Sequence, residues 1–214
     1  MAAPAVGLDC LSAAILEFSP KDFPSWLSAA LSCVRALIKL GADGISSFED
    51  GSAEARVAAR LYPIARDALL CAHPWSFATA QAKLARLAVE PTTDFAFAYQ
   101  LPLDFLKALS AGDEVRGRGM VHQIVNRQLH SDAEEVVLRY LFRPSEGDFP
   151  AFFVSALVAR LAAEFCLPLT ENSTRAERLA RLADDELRLA RLVDSQQSTP
   201  GKVEDFTLIE ARLA

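Results

Sequence analysis

Apolar residues recur three and four positions apart in four stretches of the chain, which is the spacing of one helix face. These stretches predict helices at 26–40, 52–72, 150–166 and 174–196. The predicted buried stripes are Leu27, Leu31, Val34, Leu37 and Ile38; Val57, Leu61, Ile64, Ala65 and Ala68; Phe149, Phe152, Phe153, Ala156, Leu157, Leu161 and Phe165; and Leu179, Leu182, Ala183, Leu187, Ala190 and Val193. The loop 42–51 joins the first two helices, which we expect to pair antiparallel.

Capping residues mark the first two helices. Gly41 follows the first and suits a left-handed C-cap, and Ser52 precedes the second and suits an N-cap. Pro63 lies inside the second helix, where it removes one backbone hydrogen bond and predicts a kink. Pro74 disfavours the helical conformation of His73, so we expect this helix to end near residue 72.

The ends of the last two helices carry comparable signals. Pro168 is expected to close the third helix, since proline has no amide hydrogen to donate. Thr174 and Glu177 stand three apart at the start of the fourth helix, which is the spacing of a capping box.

The segment after Pro74 supplies the largest side chains of the predicted core. Trp75 and Phe77 are one residue apart, so on an extended segment both point to the same side. The structural core is predicted to contain Trp75, Phe77, Leu61, Phe153 and Leu157. The pattern of residues 46–78 favours an ordinary buried helix, and a hinge around which the core is built is the alternative interpretation.

The middle of the chain has the two-residue period of strands. Residues 95–102 alternate large and small side chains, and residues 120–127 and 135–143 predict a strand pair around a turn near 130–132. Residues 104–109 suggest a short helical turn, and 81–89 fit a helix or an extended segment equally well. The predicted fold is mainly α: a helical bundle with a small antiparallel β-region inserted at about 79–147 and an extended C-terminal tail.

The two ends of the chain differ from the rest. Residues 1–25 are a poorly specified leader or arm, and residues 26–198 form the main domain. Residues 199–214 follow as a tail that contains Phe206, Leu208, Ile209 and Leu213. These are too many apolar groups for a solvated tail, so we expect it to fold back or to bind a partner.

Charge and cysteine content narrow the class of protein. The chain has 28 acidic and 22 basic residues, a formal charge of −6, so its surface as a whole does not favour nucleic acid. The best apolar run, 26–40, is interrupted by Arg35 and Lys39, and we expect no membrane segment and no signal peptide. None of the four cysteines has C-x-x-C spacing, which indicates buried thiols in a reducing cytosol.

Candidate chemistry is sparse. His73, His122 and His130 have no second ligand at metal-binding spacing, so we expect no metal, no cofactor and no catalytic site. Arg116 and Arg118 lie in a glycine-rich loop and are candidate phosphate contacts, although a solvated loop is the simpler interpretation. The alternative functions are a cytosolic helical DNA-binding regulator or a small-molecule enzyme. The first needs a basic recognition helix, and the best basic run, 175–181, is interrupted by Glu177.

An ordered set of segments resembles the head-to-tail adaptor (connector) proteins of tailed phages, of the tail tubular protein A type also found in gene-transfer-agent particles. The segments are 33–42 (CVRALIKLGA), 45–55 (ISSFEDGSAEA), Tyr62, Arg66-Asp67, 73–78 (HPWSFA), 99–107 (YQLPLDFLK) and Phe149-Pro150 before a helix with Leu161-Ala162. The resemblance covers about residues 31–193. The leader is longer than that family needs, so it is an added arm or the result of an upstream start codon.

The resemblance implies a structural protein of the particle neck and not an enzyme. Its partners would be copies of itself in a dodecameric ring, the portal protein above and a downstream neck protein below. DNA would pass through the bore during packaging and ejection without sequence-specific binding. The tail residues Phe206, Leu208, Ile209 and Leu213 would dock on the portal, and assembly would take place in the bacterial cytoplasm.

Overall fold

A computed structural model of the chain describes residues 25–89, 91, 94–112 and 119–197. Residues 1–24 of the predicted leader lie outside the described residues. So do the two loop arginines, Arg116 and Arg118, and the four apolar residues of the tail, Phe206, Leu208, Ile209 and Leu213.

Four α-helices are formed by the described residues: α1 (Ser25–Leu40), α2 (Ala53–Cys71), α3 (Ala151–Thr170) and α4 (Ser173–Ser195). Their starts lie within one residue of the predicted ones. α3 is the central helix, and α1, α2 and α4 each pack against it. α1 ends in a Schellman motif, because Gly41 has φ 66° and the amides of Gly41 and Ala42 bond back to Ile38 and Leu37.

The predicted C-terminal end of α3 and the predicted N-cap of α4 are wrong. α3 continues through Pro168 to Thr170 and ends at Glu171, a left-handed residue whose amide bonds to the Leu167 carbonyl. A proline in the last turn removes one backbone hydrogen bond. Burial of the apolar face of α3 stabilises the helix by more than this loss costs. α4 is capped by the Asn172 side chain, which accepts from the Arg175 amide at 2.9 Å, and not by a capping box at Thr174.

The region between α2 and α3 forms two three-stranded antiparallel sheets, and the fold is therefore mixed α and β instead of mainly α. The strands are β1 (Thr79–Lys83), β2 (Phe97–Gln100), β3 (Phe105–Gly112), β4 (Gln123–Val125), β5 (Gln128–Ser131) and β6 (Val137–Phe142). Sheet A has the order β1-β6-β3, and sheet B has the order β2-β5-β4.

The predicted strand pairing is also wrong. β4 pairs with β5, and not with β6, through a two-residue turn at Asn126 and Arg127. Both turn residues have positive φ (48° and 61°), as a type I′ hairpin requires. β6 lies instead between β1 and β3. Residues 105–112 form strand β3 where a short helical turn is predicted.

Sheet A separates two hydrophobic cores. On β6, Leu141 packs into the helical core, whereas Leu138 and Tyr140 pack into a second core. Leu129 of β5 and Tyr99 of β2, in sheet B, belong to the same second core. The described chain therefore consists of a helical layer, sheet A and sheet B, with sheet A covered on both faces.

Candidate protein-contact surface

The predicted core residues lie at the centre of the helical layer. Trp75, Phe153 and Leu157 are fully buried, and Phe77 and Leu61 are partly buried against the same core. The Trp75 indole donates to the Leu69 carbonyl at 3.0 Å, and its ring lies 5.2 Å from the ring of Phe153. Ser76–Ala78 is a 3₁₀ turn where an extended segment is predicted, yet the Trp75 and Phe77 rings still enter one core, 5.9 Å apart.

A serine, a histidine and an aspartate meet beside Trp75. The buried carboxylate of Asp194 accepts from the Ser76 hydroxyl at 2.6 Å and from the Ser76 amide at 3.1 Å, and it lies 3.5 Å from His73 Nε2. In a hydrolase triad the histidine stands between serine and acid, because it must take the serine proton. Here the carboxylate stands between them. The arrangement joins the C-terminal end of α4 to the segment after α2.

Sequence reasoning missed Asp194 and its role. The available signal is its spacing, since it follows Ala183, Leu187 and Ala190 at intervals of four, three and four on the packed side of α4. A carboxylate at a position that periodicity assigns to the core requires hydrogen-bond donors. Ser76 supplies them.

Side chains that bind metals are dispersed in the described part of the chain. No group of three or more His, Cys, Asp or Glu side chains is placed to hold an ion there. Cys33 and Cys166 are buried and Cys71 is half-buried, all as free thiols. Burial raises the pKa of Cys33 to about 12, so it is a poor nucleophile at neutral pH.

One helix in the described part, α3, is long and apolar enough to span a membrane by length and composition. From the sequence we expect no membrane segment, and 26–40 is the best apolar run. Half of the most apolar window of α3 is buried inside the protein. The same length and composition are typical of the central helix of a folded core, which is the position that α3 occupies here.

Four charged residues connect the helical layer to the region before α3. Arg66 of α2 contacts Asp67 at 2.9 Å and Glu146 at 2.6 Å, and Arg143, which follows β6, contacts Asp67 at 2.6 Å. Burial raises the pKa of Asp67, but the hydrogen bonds from Arg143 and Arg66 outweigh it and hold the pKa below its ordinary value. The Asp67 carboxylate therefore remains charged at neutral pH.

An open groove of about 780 Å³ lies between α1 and the N-terminal half of α3. Leu31 and Ile38 of α1 and Val154 of α3 form its apolar part, and Arg35 and Glu186 are among its charged lining residues. Leu31 and Ile38 belong to the predicted buried stripe of α1, but they are 40% and 66% exposed, so the prediction is wrong for these two residues. Leu37 of the same stripe is fully buried, and α1 also buries Ala29, Cys33 and Ala36 against the core.

A row of large apolar side chains is exposed on α4, near Glu186, which lines the groove. Leu182, Leu189 and Leu192 are 43%, 59% and 57% exposed, and Asp185 completes a three-four-three spacing along one side of the helix. We call these four residues the α4 stripe. Glu186, which lines the groove, is four residues after Leu182 and three before Leu189, so it lies on the same flank. The stripe therefore lies beside Glu186, but none of its four residues lines the groove itself.

The predicted buried stripe of α4 is therefore partly wrong as well. Leu179 and Leu187 pack against the core and Ala183 and Ala190 are buried, but Leu182 and Val193 are exposed. The helix has two apolar sides, and the described residues cover one of them.

The basic run that a DNA-binding regulator would use lies at the start of α4. Arg175, Arg178 and Arg181 are exposed at the start of α4, and Asp184, Asp185 and Glu186 follow them directly, so that helix has no continuous basic side for DNA. No protein-family model matches the chain, and no curated protein matches it significantly.

Proposed function

We propose that the chain is a structural head-to-tail adaptor that forms a ring below the portal of a tailed-phage-like particle. It joins the capsid to the tail and forms part of the DNA conduit, and its surfaces serve assembly instead of catalysis. The proposal combines the ordered resemblance of residues 31–193 to such adaptors with an exposed apolar surface on the helical layer.

The observation that carries the proposal is the α4 stripe. Three leucines at helical spacing on α4 remain more than 40% exposed. The groove between α1 and α3 is a second surface that is partly apolar. Single exposed leucines are common, but a row of them along one side of a helix is typical of a protein–protein contact. The stripe therefore favours a subunit of an assembly.

The remaining parts have roles in the same scheme. The tail residues Phe206, Leu208, Ile209 and Leu213 dock on the portal protein, and the two sheets face the downstream neck protein. The formal charge of −6 suits a conduit, because it repels passing phosphates instead of binding them. Assembly takes place in the bacterial cytoplasm.

Removal of residues 202–214 tests the portal contact. The truncated chain should remain folded, because the described core ends before the tail, but it should no longer attach to portal-bearing heads from the same genome. Attachment is measured by sedimentation of the heads with bound protein, and folding by circular dichroism.

A point variant separates loss of the apolar groups from loss of tail length. Phe206→Ser combined with Leu208→Ser should also abolish attachment, whereas Lys202→Ala, a polar change in the same tail, should retain it. Normal attachment by the truncated chain would refute the docking role of the tail. Unfolding of the truncated chain would show that the tail belongs to the chain's own core.

A further inference from the structure

The groove between α1 and α3 contains apolar side chains that the described residues leave uncovered. Ile38 and Leu31 of α1 are 66% and 40% exposed, and both line the groove together with half-buried Val154 of α3. Along α1 the lining extends from Ser28 to Lys39, a length of about 18 Å at the rise of an α-helix. A partly apolar groove of this length suits an amphipathic helix that lies along it.

The charges of the groove do not select its occupant. Its lining contains the cations Arg35 and Lys39 and the acids Glu146 and Glu186, and Glu146 is bound to Arg66 at 2.6 Å. Two cations and two acids favour neither an acidic nor a basic partner. The occupant must therefore be identified from apolar contact and from the chain that can reach the groove.

The leader contains one stretch with a suitable apolar side. Within residues 8–18, helical spacing of three and four places Leu11, Ala14, Ile15 and Phe18 on one face. The only acid near the middle of that face by sequence, Glu17, is two residues after Ile15, so it lies off the face. A helix over residues 8–18 is about 17 Å long, which is close to the length of the lining along α1.

The attachment of the leader to α1 is what selects this stretch. Residues 19–24 connect it to Ser25, the first residue of α1, and Ser28, one turn later, already lines the groove. A connection of this length spans at most about 20 Å and is within the range usual between antiparallel helices. It also keeps the stretch at a local concentration on the order of millimolar, which a segment of another molecule does not have.

The tail is less well placed to fill the groove. Near its C-terminal end at Ser195, α4 is attached to the segment around the end of α2, since Asp194 accepts from the Ser76 amide and Arg191 donates to the Ala72 carbonyl. None of these residues lines the groove. The tail therefore starts away from the lining, whereas the leader joins α1 one turn before it.

We propose that residues 8–18 form a helix that packs in the α1–α3 groove of their own chain, antiparallel to α1. Phe18 then lies nearest Leu31, and Leu11 lies nearest Ile38, because each pair is separated by the same seven residues along its helix. The added helix covers both exposed side chains of α1. The inference concerns the leader alone and does not rest on the adaptor function.

Thiol accessibility tests the position of the leader. Ile38→Cys places a thiol in the groove, and Ile64→Cys on α2 is the matched control, since Ile64 is 67% exposed and lies outside the groove. Both are made with Cys10→Ser and Cys71→Ser, and reaction with N-ethylmaleimide is located by mass spectrometry. At position 38 the reaction should be slower in the full-length chain than in a chain without residues 1–18, by about tenfold or more. At position 64 the two chains should react equally.

Point variants separate loss of the apolar face from loss of the leader. Leu11→Ser combined with Ile15→Ser keeps the full length, and it should raise the reaction rate at position 38 to that of the shortened chain. Asp9→Ser changes a residue off the apolar face and should leave position 38 protected. Circular dichroism establishes that each variant is folded, and the point variants decide the result if the shortened chain does not fold.

Three results would overturn the proposed packing. Equal rates at position 38 with and without an intact leader face would show that the leader does not cover the groove. Protection that is lost on removal of residues 202–214 instead would assign the groove to the tail. Protection that decreases on dilution would assign it to the leader of another molecule. Attachment to portal-bearing heads is a separate measurement, so none of these results decides the adaptor function.

Discussion

Trp75 is the residue that most closely links the parts of the helical core. It is fully buried, bonds to the end of α2 through Leu69 and contacts the aromatic rings of Phe77 and Phe153. We expect Trp75→Ala to lower the free energy of unfolding by about 3–5 kcal/mol, because it removes these contacts and leaves a cavity. Denaturant unfolding followed by circular dichroism measures the change.

Trp75→Phe is the matched variant. It keeps most of the apolar volume and removes the hydrogen bond to the Leu69 carbonyl, so its cost should be clearly smaller than that of the alanine variant. A loss below about 1 kcal/mol for Trp75→Ala would contradict the buried position of the ring.

His73 makes stability depend on pH in a predictable direction. Burial lowers the pKa of His73 and Arg191 lowers it further, while Asp194 partly opposes both. The unfolded chain therefore binds a proton at this site more readily than the folded protein. The contribution of His73 to stability is full above about pH 6.5 and decreases as the pH falls below it.

His73→Gln should reduce this decrease between pH 7.5 and pH 5.5, as measured by thermal unfolding, and an unchanged pH dependence would contradict the assignment. His122→Gln is the control and should leave the decrease in place.

At the scale of elements, helix positions could be predicted from the sequence and strand pairing could not. Helix starts depend on local signals such as Ser52, whose side chain accepts from the Ala55 amide at 3.0 Å. Strand β3 escaped prediction because register shifts near Ala108 let Leu106 and Leu109, three residues apart, both reach the helical core. An interval of three residues between buried apolar side chains is the spacing of a helix, and here the register shifts produce it in a strand. The Asn126-Arg127 turn lacks the glycine that usually marks a type I′ hairpin.

The candidate contact surface could be predicted only in part. Periodicity placed Ile38, Ile64 and Leu182 on helices, but it could not tell a side covered by the chain's own core from a side left exposed. The helices bury small residues, such as Ala36 of α1 and Ala58 of α2, against one another and keep these larger ones outside. Which side is covered depends on how the four helices pack around α3, and this is information that no single helix carries.

At the scale of the whole molecule, the network of Arg66, Asp67, Arg143 and Glu146 connects the helices to the end of sheet A. Asp67 is the acid shared by both arginines, one from α2 and one from the segment after β6. Loss of the Asp67 charge should therefore weaken the attachment of the helical layer to sheet A, in addition to breaking ion pairs. The half-buried position of the network makes the effect measurable.

We expect Asp67→Asn to lower the free energy of unfolding by about 1–3 kcal/mol, since it removes two charge-assisted contacts while keeping the side-chain shape. Glu135→Gln is the matched control, because Glu135 and Lys83 form a 2.7 Å pair that is more than half exposed and should contribute about 0–1 kcal/mol. Denaturant unfolding measures both variants, and amide exchange should be faster in β6 of Asp67→Asn than in β6 of the control. Equal losses in the two variants would mean that the network is a surface feature, and the helical layer and sheet A would then be held together by Leu141 and its apolar neighbours alone.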